Sequence, residues 1–281
     1  MKIKYRMAVF LILLFVISVV SSLLLIFPFD HNLSEKDAFM AVFGNYDSVH
    51  RNAIWKNMQF PKKDEVDEFF WKNRTGIVSN VFFQSYIEHG VKKFIFLTKT
   101  SPLGKPYECH ACLPLLNATI FYKKKRKWEI ENQNLFLMYE GEYAVSPTVN
   151  LIQVGDGKYG ATLEFEHKNG EFLDKELYIL IPYDKNIVSS HQETIYYDNF
   201  NDCGQSVQCA TFSAALNFSK IPRDPFYQLK IKRFGTVDDN TQHYKAVPVD
   251  EESTYQFSNG KYVQTSWKGY PKLIKSVNPL L

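Results

Sequence analysis

Hydrophobic and polar positions along the chain change their period twice. Residues 7–27 carry no charge and are apolar apart from three serines. As a helix rising 1.5 Å per residue this segment extends about 32 Å, enough to cross a hydrocarbon layer roughly 30 Å thick. From Ser34 to about Arg74 the spacing is helical. Ser34 and Asp37 stand at N-cap and N3 positions, Phe39, Met40 and Phe43 share a face, and Gly44-Asn45 ends the run. A second helix is predicted after Asp47-Ser48, with Val49, Ile54 and Met58 inward and Pro61 as its stop. A third opens on the acids of "KDEVDEFFW", which suit the positive end of a helix dipole, and buries Val66, Phe69 and Phe70.

Beyond Gly76 the period becomes two. "KKFIFLTKT", "ATIFYKK", "KWEIE", "NLFLMYE", "VNLIQV", "YGATLEFEH", "ELYILIPY", "ETIYY", "QCATFSAALNF", "YQLKIKRF", "HYKAVPV", "STYQF" and "KYVQTS" are short, rich in β-branched and aromatic residues, and separated by turn formers. Asn169-Gly170 and Asn259-Gly260 each supply the positive φ values that a two-residue type I′ hairpin requires, and the second places Phe257 opposite Tyr262. The pattern predicts a mainly β fold: an antiparallel β-sandwich, barrel-like or propeller-like assembly, with a short N-terminal helical segment and one N-terminal transmembrane helix. No fixed-length repeat is visible, which weighs against the propeller. The expected domains are 1–29 (cytoplasmic tip and signal anchor), 30–75 (helices packed on the β domain) and 76–281 (the β-rich domain).

Charge adds the topology. Lys2, Lys4 and Arg6 precede the apolar segment and Asp30 follows it, so the positive-inside rule keeps the amino terminus in the cytoplasm and exports the bulk. A cleavable signal peptide cut near Ser21-Ser22 is the competing reading, but its apolar region would run only about 7–15 residues, and here "LLLIF" continues past the serines. The expected location is the inner membrane, single-pass through residues 7–27, with the bulk periplasmic. The net charge of +3 equals the contribution of those three basic residues, so the exported part is near neutral and carries no general attraction for nucleic acid. The dense basic run, "KKKRK" at Lys123–Lys127, lies between two strand patterns and reads as a solvated hairpin turn.

The four cysteines form two local pairs, Cys109 with Cys112 and Cys203 with Cys209, in a compartment that oxidises thiols. Three connectivities are open. A long link would restrict the unfolded chain by nearly 5 kcal/mol, against about 2 for the short ones. Proximity along the chain favours the short ones all the same, because the partners are already close, and a domain of this size needs no staple. Cys109, His110 and Cys112 also match the C-x-x-C of thiol oxidoreductases, but the long helix that lowers a thiol pKa in those proteins is missing from the pattern that follows. A closed zinc site from the four cysteines is disfavoured by the Cys203–Cys209 spacing, and no metal or other cofactor is expected.

Other chemistry is sparse. No nucleophile elbow, H-E-x-x-H helix, phosphate loop or dinucleotide fingerprint occurs. His191 follows Ser189 and Ser190 but has no acid near it except in "QE", and no catalytic residue is assigned. Asp198, Asn199, Asn201 and Asp202 form an oxygen-rich loop that is a candidate for calcium, although Asx-turns account for it without a cation.

The order of "YECHACLP", "KWEIE", "EGEYAVSPTVNLIQVGDGKYG", "YYDNFNDCGQSVQC" and "TYQFSNGKYV" resembles a set of uncharacterised bacterial envelope proteins with a CHAC-x-P box. The resemblance spans roughly Phe94 to Val263 and implies an exported β-rich domain. Together these features lead us to expect a non-enzymatic binding module of the envelope, with an unknown envelope protein as partner and an inhibitor or immunity protein as one form of it. The alternative is a thiol-disulfide oxidoreductase using Cys109 and Cys112.

Overall fold

The computed structural model describes residues 32–59, 74–103, 113–140, 145–168, 172–199, 203, 208–239 and 245–269. The apolar segment 7–27, the third predicted helix, Cys109–Cys112 and the Asn169-Gly170 turn lie outside these residues. Among the described residues no helix is long and apolar enough to cross a membrane. The chain divides into Met1–Ser34 and Glu35–Leu281, and every element below belongs to the second unit.

One helix, α1 (Glu35–Phe43), opens this unit. It starts after Ser34 with two acids in its first turn and stops where Gly44 takes a φ of 75°. The expected second helix does not form. Asp47 Oδ1 instead accepts the N–H groups of Val49 and His50 (2.8 and 3.2 Å), Arg51 takes a φ of 51°, and both ends of the Asn45 amide hold the backbone of Ile54. The Asp47 contacts resemble a helix cap, but the left-handed Arg51 and the Asn45 side chain, which takes both backbone groups of Ile54, turn the chain away after one turn. Residues Asn52–Trp55 become a short strand, β1, paired with β2 (Gly76–Glu88).

The remaining strands are β3 (Val91–Pro102), β4 (Leu115–Lys124), β5 (Lys127–Tyr139), β6 (Thr148–Gly155), β7 (Lys158–Lys168), β8 (Leu173–Tyr183), β9 (Asn186–Asp198), β10 (Thr211–Ser219), β11 (Gln228–Asp239), β12 (Lys245–Ser258) and β13 (Lys261–Lys268). They pair antiparallel in chain order, β1 to β5 in one sheet and β6 to β13 in the other, so the expectation of a mainly β, antiparallel fold holds, as two sheets and not as a ring of blades.

The sheets meet through one apolar layer, in which Ile95, Leu97, Leu116, Ala118 and Ile120 face Ala161, Leu163, Phe165, Tyr178 and Leu180. The opposite parity of β8, Ile179 and Ile181, packs on Leu229, Ile231 and Tyr262 of β11 and β13. The eight-stranded sheet therefore curls, and β8 is buried on both sides. This is why "LYILIPY" is a continuous apolar run instead of an alternating one. Close approach also shapes β7: a Cβ on Gly160 would lie 2.4 Å from the carbonyl oxygen of Leu180, so this position admits no side chain.

Strand β5 is longer than its sequence pattern. "KWEIE" and "NLFLMYE" are one strand, β5, because the intervening polar residues bind backbone across the sheet boundary. Asn132 Nδ2 donates to the carbonyls of Asp184 and Asn186 (2.9 and 3.1 Å), and Asn134 Nδ2 donates to that of Ile187 (2.9 Å). The predicted basic turn is present, with β4 and β5 joined at Lys125-Arg126.

At the β12–β13 hairpin Asn259 and Gly260 have φ of 50° and 85°, and Phe257 stands opposite Tyr262 with ring centroids 5.5 Å apart. Asn259→Ala should cost about 1–2 kcal/mol, since alanine lacks asparagine's tolerance of the left-handed region, whereas Asn259→Gly should be near neutral. The urea midpoints of the two variants check this, and equal midpoints would refute it.

Candidate functional site

The curl of the eight-stranded sheet encloses a polar cluster in an otherwise apolar interior. In β11, Leu229, Ile231 and Arg233 share the inward parity, so alternation alone carries the guanidinium inside. On β12 the same face bears Glu251, Ser253 and Tyr255, on β9 it bears His191 and Glu193, and on β13 it bears Tyr262 and Trp267. Arg233 Nε donates to Glu193 Oε1 (2.6 Å) and Nη2 to Glu193 Oε2 (2.5 Å), a two-pronged pair. Nη1 donates to Glu251 Oε1 (2.6 Å) and to Ser253 Oγ (3.3 Å), and Nη2 also reaches the Tyr255 hydroxyl (3.4 Å). All five guanidinium hydrogens thus have acceptors.

The acceptors are anchored in turn. Trp267 Nε1 donates to Glu251 Oε2 (3.0 Å), and His191 Nε2 lies 3.3 Å from Glu193 Oε2 while its ring packs edge-on against Tyr255. Burial pushes the Glu193 carboxyl up, but hydrogen bonds from His191 and Arg233, with the Arg233 charge, outweigh it and hold the group below the ordinary glutamate range. Burial likewise opposes the charge on Arg233, and Glu193 overcomes it, so the guanidinium stays protonated at any working pH. With its donors engaged, Arg233 has none left for an anionic ligand. The cluster's chemistry is to lock β9, β11, β12 and β13 into the curl.

A second polar group lies at the end of the layer between the sheets. Asp174, Glu176 and Tyr178 of β8 and Phe165 and His167 of β7 share one face, and Glu140 follows the last residue of β5. The Tyr178 hydroxyl contacts Glu140 Oε2 at 2.8 Å and Glu176 Oε2 at 2.9 Å; Gln192 Nε2 donates to the same Glu176 oxygen (2.9 Å), and His167 Nε2 stands 3.7 Å from Glu140 Oε1. Burial, reinforced by the two glutamates, pushes the Tyr178 hydroxyl far above the usual tyrosine range, so it remains a hydrogen-bond donor. Glu140, His167 and Glu176 are the described residues able to hold a metal, with one ligand atom from each lying within 4.8 Å of the others.

The residues singled out from sequence fall as follows. Cys203 and Cys209 are bonded to each other, the local pairing, with Cα atoms 4.7 Å apart, and no cysteine is free among the described residues. Cys109, His110, Cys112, Asn201 and Asp202 lie outside the described residues. Asn199 is buried and closes its own loop: its Oδ1 accepts from Ala210 N–H (2.6 Å), its Nδ2 donates to the Gln208 carbonyl (3.2 Å), and its carbonyl accepts from Cys203 N–H (3.0 Å). Asp198 accepts from the Tyr196 hydroxyl (3.0 Å). His191 meets Glu193, the acid of its adjacent "QE", at 3.3 Å, and Ser190 Oγ donates to the Ile179 carbonyl (2.9 Å).

Sequence reading missed Arg233, Glu193, Glu251, Glu140, His167 and Glu176. A signal for them exists: each strand residue among them stands at the parity of apolar neighbours, Arg233 after Leu229 and Ile231, Glu251 after Val249, and His167 after Leu163 and Phe165. No family model, curated protein or solved structure matches the chain.

Proposed function

We propose that this chain is a tethered binding module of the cell envelope, anchored in the inner membrane through residues 7–27 and carrying its two-sheet domain on the periplasmic side, where it takes an envelope protein as partner. The observation that carries the reading is the saturation of Arg233. The strongest interior charges are consumed in making the domain rigid, and a rigid sheet body with its polar chemistry directed inward is suited to recognition through its surface. Two further features support it. The Cys203–Cys209 bond suits an oxidising compartment. The outward parity of β11 and β13 displays isolated large apolar side chains, Phe234 and Val263, among polar ones.

The test uses the full chain in intact cells, with a photoreactive residue in place of Phe234 or Val263. A discrete crosslinked adduct at one position, absent when the label is placed at inward-facing Ile231, is expected. The binding reading fails if neither outward position yields an adduct. The location fails if protease added to spheroplasts leaves the domain intact yet digests it after lysis.

A further inference from the structure

We propose that Glu140, His167 and Glu176 form a binding site for a divalent first-row transition ion, with Zn²⁺ as its best-fitting member. Three different strand neighbourhoods converge there: the end of β5 brings Glu140, β7 brings His167 and β8 brings Glu176. One imidazole nitrogen and two carboxylate oxygens are the donor types that zinc and its neighbours take, whereas calcium and magnesium favour oxygen alone.

The ligand atoms lie within 4.8 Å of one another. Around an ion with bonds of about 2.0–2.2 Å, donors sit roughly 3–3.5 Å apart, so closure needs a shift of about 1 Å at the ends of the two glutamate side chains. Both carboxylates are half-buried, and the shift concerns only their outer oxygens. One pair of these groups, His167 Nε2 and Glu140 Oε1, already stands at 3.7 Å.

The surroundings hold the donors in orientation. The His167 ring lies nearly parallel to Phe165, at 17° with centroids 6.5 Å apart, which restricts its plane. Tyr178 and Gln192 hydrogen-bond the Oε2 atom of Glu176, and Tyr178 also contacts Oε2 of Glu140. Supporting hydrogen bonds of this kind orient metal ligands in known sites. Tyr178 thus ties the two carboxylates together at their Oε2 atoms and leaves the ligand role to their Oε1 atoms, that of Glu140 lying on the His167 side of the cluster. The competing account is a polar cap in which Tyr178 alone ties the two glutamates together, and it makes no demand on His167.

The test is titration of the full-length chain in detergent micelles, untagged and with its disulfide intact, followed calorimetrically with Zn²⁺ and by visible absorption with Co²⁺. One saturable equivalent is expected, with Ca²⁺ and Mg²⁺ at least tenfold weaker. His167→Gln and Glu176→Gln should each weaken Zn²⁺ binding at least tenfold. His50→Gln, at an exposed His–Asp pair elsewhere, should leave it unchanged. Broadening of the His167 imidazole resonances by substoichiometric Co²⁺ needs no variant and covers the case in which a substitution unfolds the chain. Absence of one-equivalent binding, full binding in both site variants, loss confined to His50→Gln, equal affinity for Ca²⁺, or an unbroadened His167 would each overturn the proposal.

Discussion

Arg233→Ala should destabilise the protein by about 3–5 kcal/mol, measured as the change in urea unfolding free energy of the full chain in micelles. The size follows from what is left behind. Glu193 and Glu251, both more than nine-tenths buried, would face each other without the cation that lies between them. Arg233→Lys should recover only part of the loss, because an ammonium cannot engage both oxygens of Glu193 while reaching Glu251. Replacing all three, Arg233→Met with Glu193→Leu and Glu251→Leu, removes the desolvation cost together with the pairing. The triple variant should be far closer to wild type than Arg233→Ala, and a triple variant as unstable as the single one would refute this account.

The same cluster sets an acid limit. Glu193 is held below the ordinary glutamate value of about 4.3, so its stabilising contribution is complete above that pH and is lost as the pH falls through the depressed folded value. Glu193→Gln should therefore flatten the stability–pH slope below about pH 4 and leave the slope near neutrality unchanged.

Phe39→Ala should cost about 3–5 kcal/mol, the range for emptying a fully buried aromatic site. The helix that carries it has nine residues, too few to persist alone, so its place depends on docking. Phe39 is completely buried, meets Phe96 of β3 edge to face at 5.0 Å, and lies 5.3 Å from Tyr46. Phe43 continues the contact through Trp55 to Phe136, with centroids 5.7 and 5.2 Å apart, which ties the helix to β1 and β5 as well. Amide exchange across Glu35–Phe43 should accelerate in the variant before the sheets open. Met40, half-exposed in the same helix, provides the control: Met40→Ala should change stability by less than about 0.5 kcal/mol. Equal effects of the two substitutions would show that the helix does not dock through Phe39.

Much of the fold was legible because period-two alternation and turn chemistry are local. Most of the strands, the first helix, the basic turn and the Phe257–Tyr262 pair were readable from neighbours a few residues apart. Local reading failed where a polar stretch was drawn into tertiary structure. "ENQN" interrupts an apolar pattern and looks like a break, yet Asn132 and Asn134 stay in β5 by binding the backbone at the β8–β9 hairpin. "DEES" hides the middle of β12 in the same way, because Glu251 and Ser253 turn toward Arg233. The predicted helix after Asp47 failed for the opposite reason: Arg51 is left-handed, Asp47 and Asn52 bridge, and the Asn45 amide holds both backbone groups of Ile54, so the turn after Asp47 leads into β1.

By itself, then, the sequence determined a strand-rich, largely antiparallel fold and which side chains of most strands share a face, because both follow from the alternation of the backbone and the geometry of tight turns; the order of pairing within two sheets came from the tertiary structure. Only the tertiary structure decided which faces meet. Curling of the long sheet brings Glu193 of β9 to Arg233 of β11 and Glu251 of β12, and stacking of the two sheets brings Glu140 to His167 and Glu176. The physical reason is that a charge at an inward position is costly until a partner from a distant strand arrives, and no local pattern records which strand will supply it.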